Sequence, residues 1–213
     1  MTEFKFPDDI FTEPDVDPDT LANLGPLAPL AGRWSGEKGV DVHPVVEGSE
    51  RQVYVETWDF EPIDGQTNGP QLLYGLRYHQ HVVKPGEVET FHDQVGYLLW
   101  EPQRSRVIMT LAIPRAQVAM ATGGAAADAT TFTLRAAEDD RHSDISSNDF
   151  LDWAFRTPAW SITFRVGPSD QWAYTQTTRL EVRGREGFDH NDVGILTRVG
   201  PPVPNPTAAH GPA

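Results

Sequence analysis

Hydrophobic and polar residues alternate with a period of two along most of the chain. In the segment 159–167, four large apolar residues at every second position are separated by polar ones: Trp160, Ile162, Phe164 and Val166. This period is typical of a β-strand with one buried face. The same test predicts ten strands, over residues 31–36, 50–60, 71–83, 87–101, 105–113, 115–123, 129–137, 159–167, 171–184 and 193–200.

Short segments rich in Gly, Pro and Asp separate most of these strands, among them residues 84–87, 101–104, 122–124 and 167–170. Such segments form tight turns, so consecutive strands are expected to pair as antiparallel hairpins. A meander of this many strands avoids exposed edges by closing on itself. We therefore predict an all-β fold, a closed antiparallel up-and-down β-barrel of about ten strands that encloses a cavity.

The two ends of the chain differ from this β-rich body. Residues 1–20 are acidic and interrupted by prolines, and they are predicted to form a flexible lead. Leucines three residues apart in the segment 21–30, with prolines between them, predict a short 3-10 or helical plug at the start of the barrel domain, residues 21–200. The proline-rich tail, residues 201–213, is predicted to be disordered, and residues 138–158 form a polar excursion whose role stays open.

Composition and charge exclude several classes of function. Seventeen basic against thirty-one acidic residues give a net charge of −14, which disfavours nucleic acid and anionic membranes as partners. The chain has no cysteine, which excludes disulfides, a thiolate nucleophile and Cys-ligated metals. It shows no secretory signal, no membrane-spanning run and no hydrolase or nucleotide-binding motif, so we expect a soluble, cytoplasmic protein.

Three motifs resemble those of the nitrobindin-type haem-binding β-barrels, a calycin-like family related in shape to lipocalins and fatty-acid-binding proteins. They are the Leu-x-x-Leu-x-Gly-x-Trp-x-Gly pattern over residues 27–36, the strand with His92, Gly96 and Tyr97, and the closing segment from His190 to Leu196-x-Arg198. The resemblance covers roughly residues 21–200. It implies a barrel that holds haem b through one proximal histidine near the C-terminus, and ferric haem in such proteins is associated with isomerisation of peroxynitrite and with binding of nitric oxide.

By position in this resemblance, His190 is the candidate iron ligand. Its second ring nitrogen would be held by a carboxylate or carbonyl, and the nearest acids in sequence are Asp189 and Asp192. The surrounding sequence is rich in turn residues, and a histidine in a polar turn is more commonly solvated than ligated. His92 is the second candidate cofactor-binding residue, near the mouth of the pocket, and its structural alternative is a hydrogen bond across strands.

Trp34 is the third candidate cofactor-binding residue. The motif Gly32-x-Trp34 in the first strand and Arg198 in the last also fit a tryptophan that caps one end of the barrel beneath a guanidinium. On the tripeptide alone, an ordinary aromatic residue at the start of a strand is the simpler interpretation.

His79 and His81 alternate on one predicted strand, so both face the same side. With His92 on the next strand they could present nitrogens to zinc or iron. The interpretation that we favour places them at polar, outward positions.

Three functions remain open at this stage. The first is a haem b barrel, which would be a peroxynitrite isomerase or a nitric oxide binder. The second is a haem-free carrier or sensor of an apolar small molecule in the cavity. The third is a filled barrel that binds another protein through its surface. The predicted partners are haem or an apolar small molecule, with a second copy of the chain in a homodimer as a further candidate.

Overall fold

The computed structural model describes residues 4–167 and 170–205 of the chain. It contains eleven strands: β1 (Gly32–Pro44), β2 (Ser49–Asn68), β3 (Gln71–Val83), β4 (Thr90–Glu101), β5 (Arg106–Ile113), β6 (Gln117–Gly124), β7 (Thr131–Ala137), β8 (Ile145–Ser147), β9 (Phe155–Val166), β10 (Gln171–Val182) and β11 (Phe188–Gly200). The helices are short: α1 (Thr20–Asn23), α2 (Asp149–Ala154) and the 3-10 helices Gly25–Leu30 and Pro102–Arg104.

The strands form one closed antiparallel barrel. They lie in the order β5-β4-β3-β2-β1-β11-β10-β9-β7-β6, and the pairing of β5 with β6 closes the ring. The short strand β8 is an extra strand, and it pairs with β6 at residues Gln117 to Ala119. The prediction of a closed up-and-down barrel of about ten strands with a short N-terminal plug is therefore confirmed.

Strands β1 and β11 are longer than the sequence predicted. β1 continues to Pro44 through a register shift between Gly36 and Gly39. A Cβ at Gly39 would lie 1.9 Å from the Tyr54 ring, so only glycine lets the two strands pass this closely. β11 begins at Phe188, five residues before the predicted start, and Asn191 and Asp192 in this added length pair with β1.

One end of the barrel is closed by the plug. Leu24, Leu27 and Leu30 are fully buried beneath the strands. The guanidinium of Arg198 lies 4.1 Å from the centre of the Trp34 ring, and the Trp34 indole N–H donates to the Leu30 carbonyl at 2.7 Å. Around them, aromatic side chains stack and cross at ring distances of about 5–6.4 Å: Trp34, Trp58, Phe60, Trp172 and Tyr174.

The segments before and after the barrel lie against its closed end. The backbone N–H of Asp17 donates to the Tyr74 hydroxyl at 3.1 Å, and the Thr20 hydroxyl donates to the Ile63 carbonyl at 2.6 Å. Asn205 is buried and its side-chain carbonyl accepts from the Thr20 N–H at 3.3 Å.

Residues 201–205 have no regular secondary structure. The remainder of the predicted disordered tail, residues 206–213, and part of the predicted turn 167–170 lie outside the described residues, and the domain boundaries stay predictions.

The excursion 138–158 supplies β8 and α2 at the opposite end of the barrel. Asn148 caps α2, because its side-chain carbonyl accepts from the N–H groups of Phe150 and Leu151 at 2.9 and 3.1 Å. Within the described ranges, the chain has no helix of the length and hydropathy needed to cross a membrane.

Candidate functional site

A cavity of about 490 Å³ opens at the end of the barrel where β1 ends and β11 begins. This volume lies within the roughly 300–1,000 Å³ typical of small-molecule sites. One side of the cavity is apolar, and α2 and the strands around it supply that wall: Leu111, Ile113, Ala119, Ile145, Leu151, Phe155, Trp160 and Leu180. The excursion therefore forms part of the cavity mouth, a role that its polar sequence did not indicate.

The other side of the cavity carries a polar cluster that the long ends of β1 and β11 bring together. Along β11, alternate residues from His190 to Leu196 face inward, so His190 and Asp192 point to the same side. On β1, Asp41 and His43 line the same cavity, and Asp41 lies opposite Asp192 in the strand register. The interpretation of His190 as part of a turn before the last strand is wrong, since the residue lies inside β11.

Asp41 lies at the centre of this cluster. The His190 Nε2–H donates to one of its carboxylate oxygens, and the His43 Nδ1–H donates to the other at 2.6 Å. The side chain is only 3 % exposed. Burial by itself would raise the pKa of Asp41, but the hydrogen bonds and charges of His190 and His43 outweigh it and lower that pKa.

His190 has two acidic neighbours. Besides the bond to Asp41, its Nε2 lies 3.7 Å from Asp192 Oδ1, and the ring is 27 % exposed. Burial by itself lowers the pKa of His190. The hydrogen bonds and charges of Asp192 and Asp41 outweigh burial and raise this pKa to about 9. The ring is therefore an imidazolium at neutral pH in this arrangement.

The sequence pointed to Asp189 and Asp192 as partners of His190, and the structure separates them. Asp189 faces outward and accepts from Arg179 at 2.9 Å. Asp192 belongs to the cluster, and its second oxygen accepts from Gln176 Nε2 at 3.0 Å. Asp41 and His43 were missed because strand β1 was predicted to end at residue 36. The alternation of Val40, Asp41, Val42 and His43 was the available signal.

The polar floor of the cavity is a network around Glu56. Tyr54 and Tyr174 line the cavity, and their hydroxyls lie 2.7 Å apart. The Tyr174 hydroxyl, the Trp58 indole N–H and Gln80 Nε2 all donate to the same oxygen of Glu56, at 2.9, 2.7 and 3.0 Å. Burial raises the pKa of Glu56 to about 7 against the effect of these donors.

The remaining predicted site residues lie in three different places. His92 lines the cavity, where burial lowers its pKa, and Arg115 lines it nearby. Trp34 is buried at the closed end with Arg198 and is not among the described residues that line the cavity. His79 and His81 lie on the outer face, as in the interpretation that we favoured, with Asp93 at 2.9 Å and Thr90 at 3.0 Å as their partners.

Comparisons with known proteins agree with the barrel fold. The sequence model described as the THAP4-like, heme-binding β-barrel domain matches residues 23–198. The chain belongs to this family. The predicted resemblance to nitrobindin-type barrels is thereby confirmed. Among solved structures, the chain is similar to Rv2717c from M. tuberculosis, with 22 % sequence identity and a TM-score of 0.59. The match covers 86 % of this chain and 99 % of Rv2717c. At this identity the likeness concerns the fold. No curated protein matches the chain.

The residues of this nitrobindin-family chain fit a haem group. The cavity offers an apolar wall, an opening at its mouth and an inward-facing imidazole at the edge of that opening. Asp41 accepts the Nε2–H of His190, which leaves Nδ1 as the ring nitrogen for a metal. Ligation through Nδ1 would displace the proton that the imidazolium carries there.

Proposed function

We propose that the chain binds haem b in this cavity, that His190 is the protein ligand to its iron, and that the loaded protein isomerises peroxynitrite to nitrate or binds nitric oxide. The pairing of His190 with Asp41 at the edge of an apolar cavity carries the proposal. Metal-ligating histidines commonly donate their other ring N–H to a carboxylate, which fixes the orientation of the ring. Membership of the haem-binding family supports haem as the ligand.

The chain's own residues would divide the work between holding the group and shaping its surroundings. Asp41 holds the ring of His190 in one tautomer and one orientation. The apolar wall, with Leu111, Ile113 and Leu151, excludes water from the face of the porphyrin. When bound, haem supplies an iron centre that acts as Lewis acid and redox group.

Two residues at the cavity are suited to the polar edge of the ligand. Arg115 carries a guanidinium group at the cavity, so it is the natural partner for a propionate. Burial lowers the pKa of His92, so this imidazole is neutral at pH 7 and can donate or accept a hydrogen bond near the group.

Titration with hemin tests this proposal directly. Purified protein with hemin is expected to give an intense, shifted Soret band, and His190→Ala is expected to weaken the binding at least ~10-fold through loss of the axial ligand. His79→Ala removes an exposed histidine from the outer face and serves as the matched control, with unchanged hemin binding.

The outcomes separate the proposed function from its alternative. A hemin spectrum that the protein leaves unchanged contradicts the proposal and favours the haem-free carrier of an apolar small molecule. Hemin binding that is unaffected by His190→Ala contradicts the assignment of the ligand. The loaded protein would then be mixed with peroxynitrite, and nitrate formation no faster than with His190→Ala would contradict the isomerase activity.

A further inference from the structure

Three ligand atoms converge at the polar side of the cavity. They are His190 Nε2 and one carboxylate oxygen each from Asp41 and Asp192, and all lie within 4.8 Å of one another. Ligand atoms bound tetrahedrally at about 2.0–2.2 Å from one metal ion are about 3.3–3.6 Å apart, so small side-chain shifts bring these three atoms onto one ion. Imidazole and carboxylate together are ligands that suit divalent transition metals.

The second oxygen of each carboxylate is held by another side chain. His43 Nδ1–H donates to Asp41 Oδ2 at 2.6 Å, and Gln176 Nε2–H donates to Asp192 Oδ2 at 3.0 Å. These two hydrogen bonds fix the rotation of the carboxylates, so that Oδ1 of each faces His190 Nε2. Hydrogen bonds of this kind orient the ligands of metal sites in proteins.

The backbone that carries the cluster is paired on both sides. Asp41 on β1 and Gln176 on β10 both lie opposite Asp192 on β11, the strand between them. The side chains of Asp41 and Asp192 are 3 % and 15 % exposed, so neither carboxylate is freely solvated. Two negative charges at this depth require compensation by positive charge, which a divalent ion bound between them would provide.

We propose that this cluster is a direct binding site for a divalent transition-metal ion, with His190 Nε2, Asp41 Oδ1 and Asp192 Oδ1 as the ligands. His43 and Gln176 orient the two carboxylates. Three protein ligands leave the other coordination positions of the ion to water or to a small molecule. The site goes beyond the haem proposal. An ion on Nε2 removes the hydrogen bond to Asp41 that haem ligation uses, so the two occupants exclude each other.

Titration calorimetry with Zn²⁺, on untagged and chelator-treated protein, tests this site. The wild-type chain is expected to bind one Zn²⁺. Asp192→Asn replaces a charged ligand with a neutral amide and is expected to abolish tight binding. Gln176→Ala removes only an orienting hydrogen bond and is expected to weaken the Zn²⁺ affinity ~10-fold. The double variant His79→Ala/His81→Ala removes two imidazoles from the outer face and is expected to leave the affinity unchanged.

A second measurement separates loss of the site from loss of the fold. Zn²⁺ is expected to raise the melting temperature of the wild-type chain and of His79→Ala/His81→Ala, and not that of Asp192→Asn. Absence of a bound Zn²⁺ in the wild-type chain overturns the proposal. So does a Zn²⁺ affinity that Asp192→Asn and Gln176→Ala leave unchanged, or one that depends on His79 and His81.

Hemin titration of the same variants keeps this proposal distinct from the proposed function. Asp192→Asn retains the pair of His190 and Asp41, so hemin is still expected to bind through His190 in this variant. Saturating Zn²⁺ is expected to slow or prevent hemin binding to the wild-type chain and to have no such effect on Asp192→Asn. If hemin binds through His190 and Zn²⁺ does not bind, the ion site alone is wrong. If Zn²⁺ binds as described and hemin does not, the haem proposal alone is wrong.

Discussion

Glu56 is a carboxyl group buried inside the barrel, and burial favours its neutral form. Three donors converge on one oxygen, while the other oxygen, Oε1, has no hydrogen-bond partner within the described part of the chain. A Cβ at Gly194 would lie 2.3 Å from Oε1, so glycine at this position makes room for the group. A protonated carboxyl group accepts through one oxygen and donates through the other, as a side-chain amide does through its oxygen and nitrogen, so glutamine is a close neutral replacement for Glu56.

Replacement Glu56→Gln is therefore expected to change the pH dependence of stability. The pKa of Glu56 rises from 4.5 to about 7 on folding, so the folded state binds more protons than the unfolded state between these two pH values. Stability from this group is fully present below pH 4.5 and is lost as the pH rises to about 7, at about 1.4 kcal/mol for each pKa unit. Denaturant unfolding at several pH values should show a smaller loss over this window for Glu56→Gln than for the wild-type chain.

Glu61→Gln is the matched control, since Glu61 is exposed and paired with Arg77. Its pH profile is expected to follow that of the wild-type chain. Identical profiles for Glu56→Gln and the wild-type chain would show that folding does not raise the pKa of Glu56.

The strands were predicted well where one face is apolar and poorly where the inward face turns polar. Strands such as β3 and β5 match the prediction closely, because burial repeats at every second residue. The end of β1 and the start of β11 form the polar side of the cavity. Their inward residues are Asp41, His190 and Asp192. A search for apolar residues at every second position does not detect a strand whose inward residues are polar. For the same reason the sequence pointed to His190, His92 and Asp192, which line the cavity, and missed Asp41 and His43, which line it with them.

At the level of elements, α2 is held at the cavity mouth by its cap. Asn148 accepts from two amides of the first turn and donates to the Arg115 carbonyl at 2.6 Å. Loss of a cap costs about 0.5–2 kcal/mol. Asn148→Ala is therefore expected to speed hydrogen exchange of the Phe150 and Leu151 amides roughly 5-fold, since about 1 kcal/mol corresponds to that factor.

Asn148→Asp keeps the accepting oxygen of the cap and removes the donor to the Arg115 carbonyl, so it separates these two contributions. It is expected to retain protection of both amides. Equal exchange in the alanine variant and the wild-type chain would show that packing of Leu151 on the cavity wall, rather than the cap, holds α2 in place.

For the whole molecule, the first and last strands must stay joined for the barrel to remain closed. Arg198 on β11 fastens this junction to the plug, because its guanidinium donates to the carbonyls of Ala31 and Pro29 at 2.6 and 3.0 Å while it covers the Trp34 ring. It also donates to Asp170 at 2.8 Å, at the start of β10. One planar group thus ties three parts of the chain together at the closed end.

Replacement of Arg198 by lysine keeps the charge and removes this planar set of donors, so it separates the two contributions. A lysine ammonium cannot stack on the indole and reach both carbonyls together, and we expect Arg198→Lys to lower the free energy of unfolding by about 1–3 kcal/mol. Urea denaturation, followed by tryptophan fluorescence and by circular dichroism, measures the loss. Arg179→Lys, at an exposed ion pair with Asp189, is the matched control and is expected to change stability by less than about 0.5 kcal/mol. Equal effects of the two replacements would mean that the junction of β1 and β11 is held by backbone pairing alone.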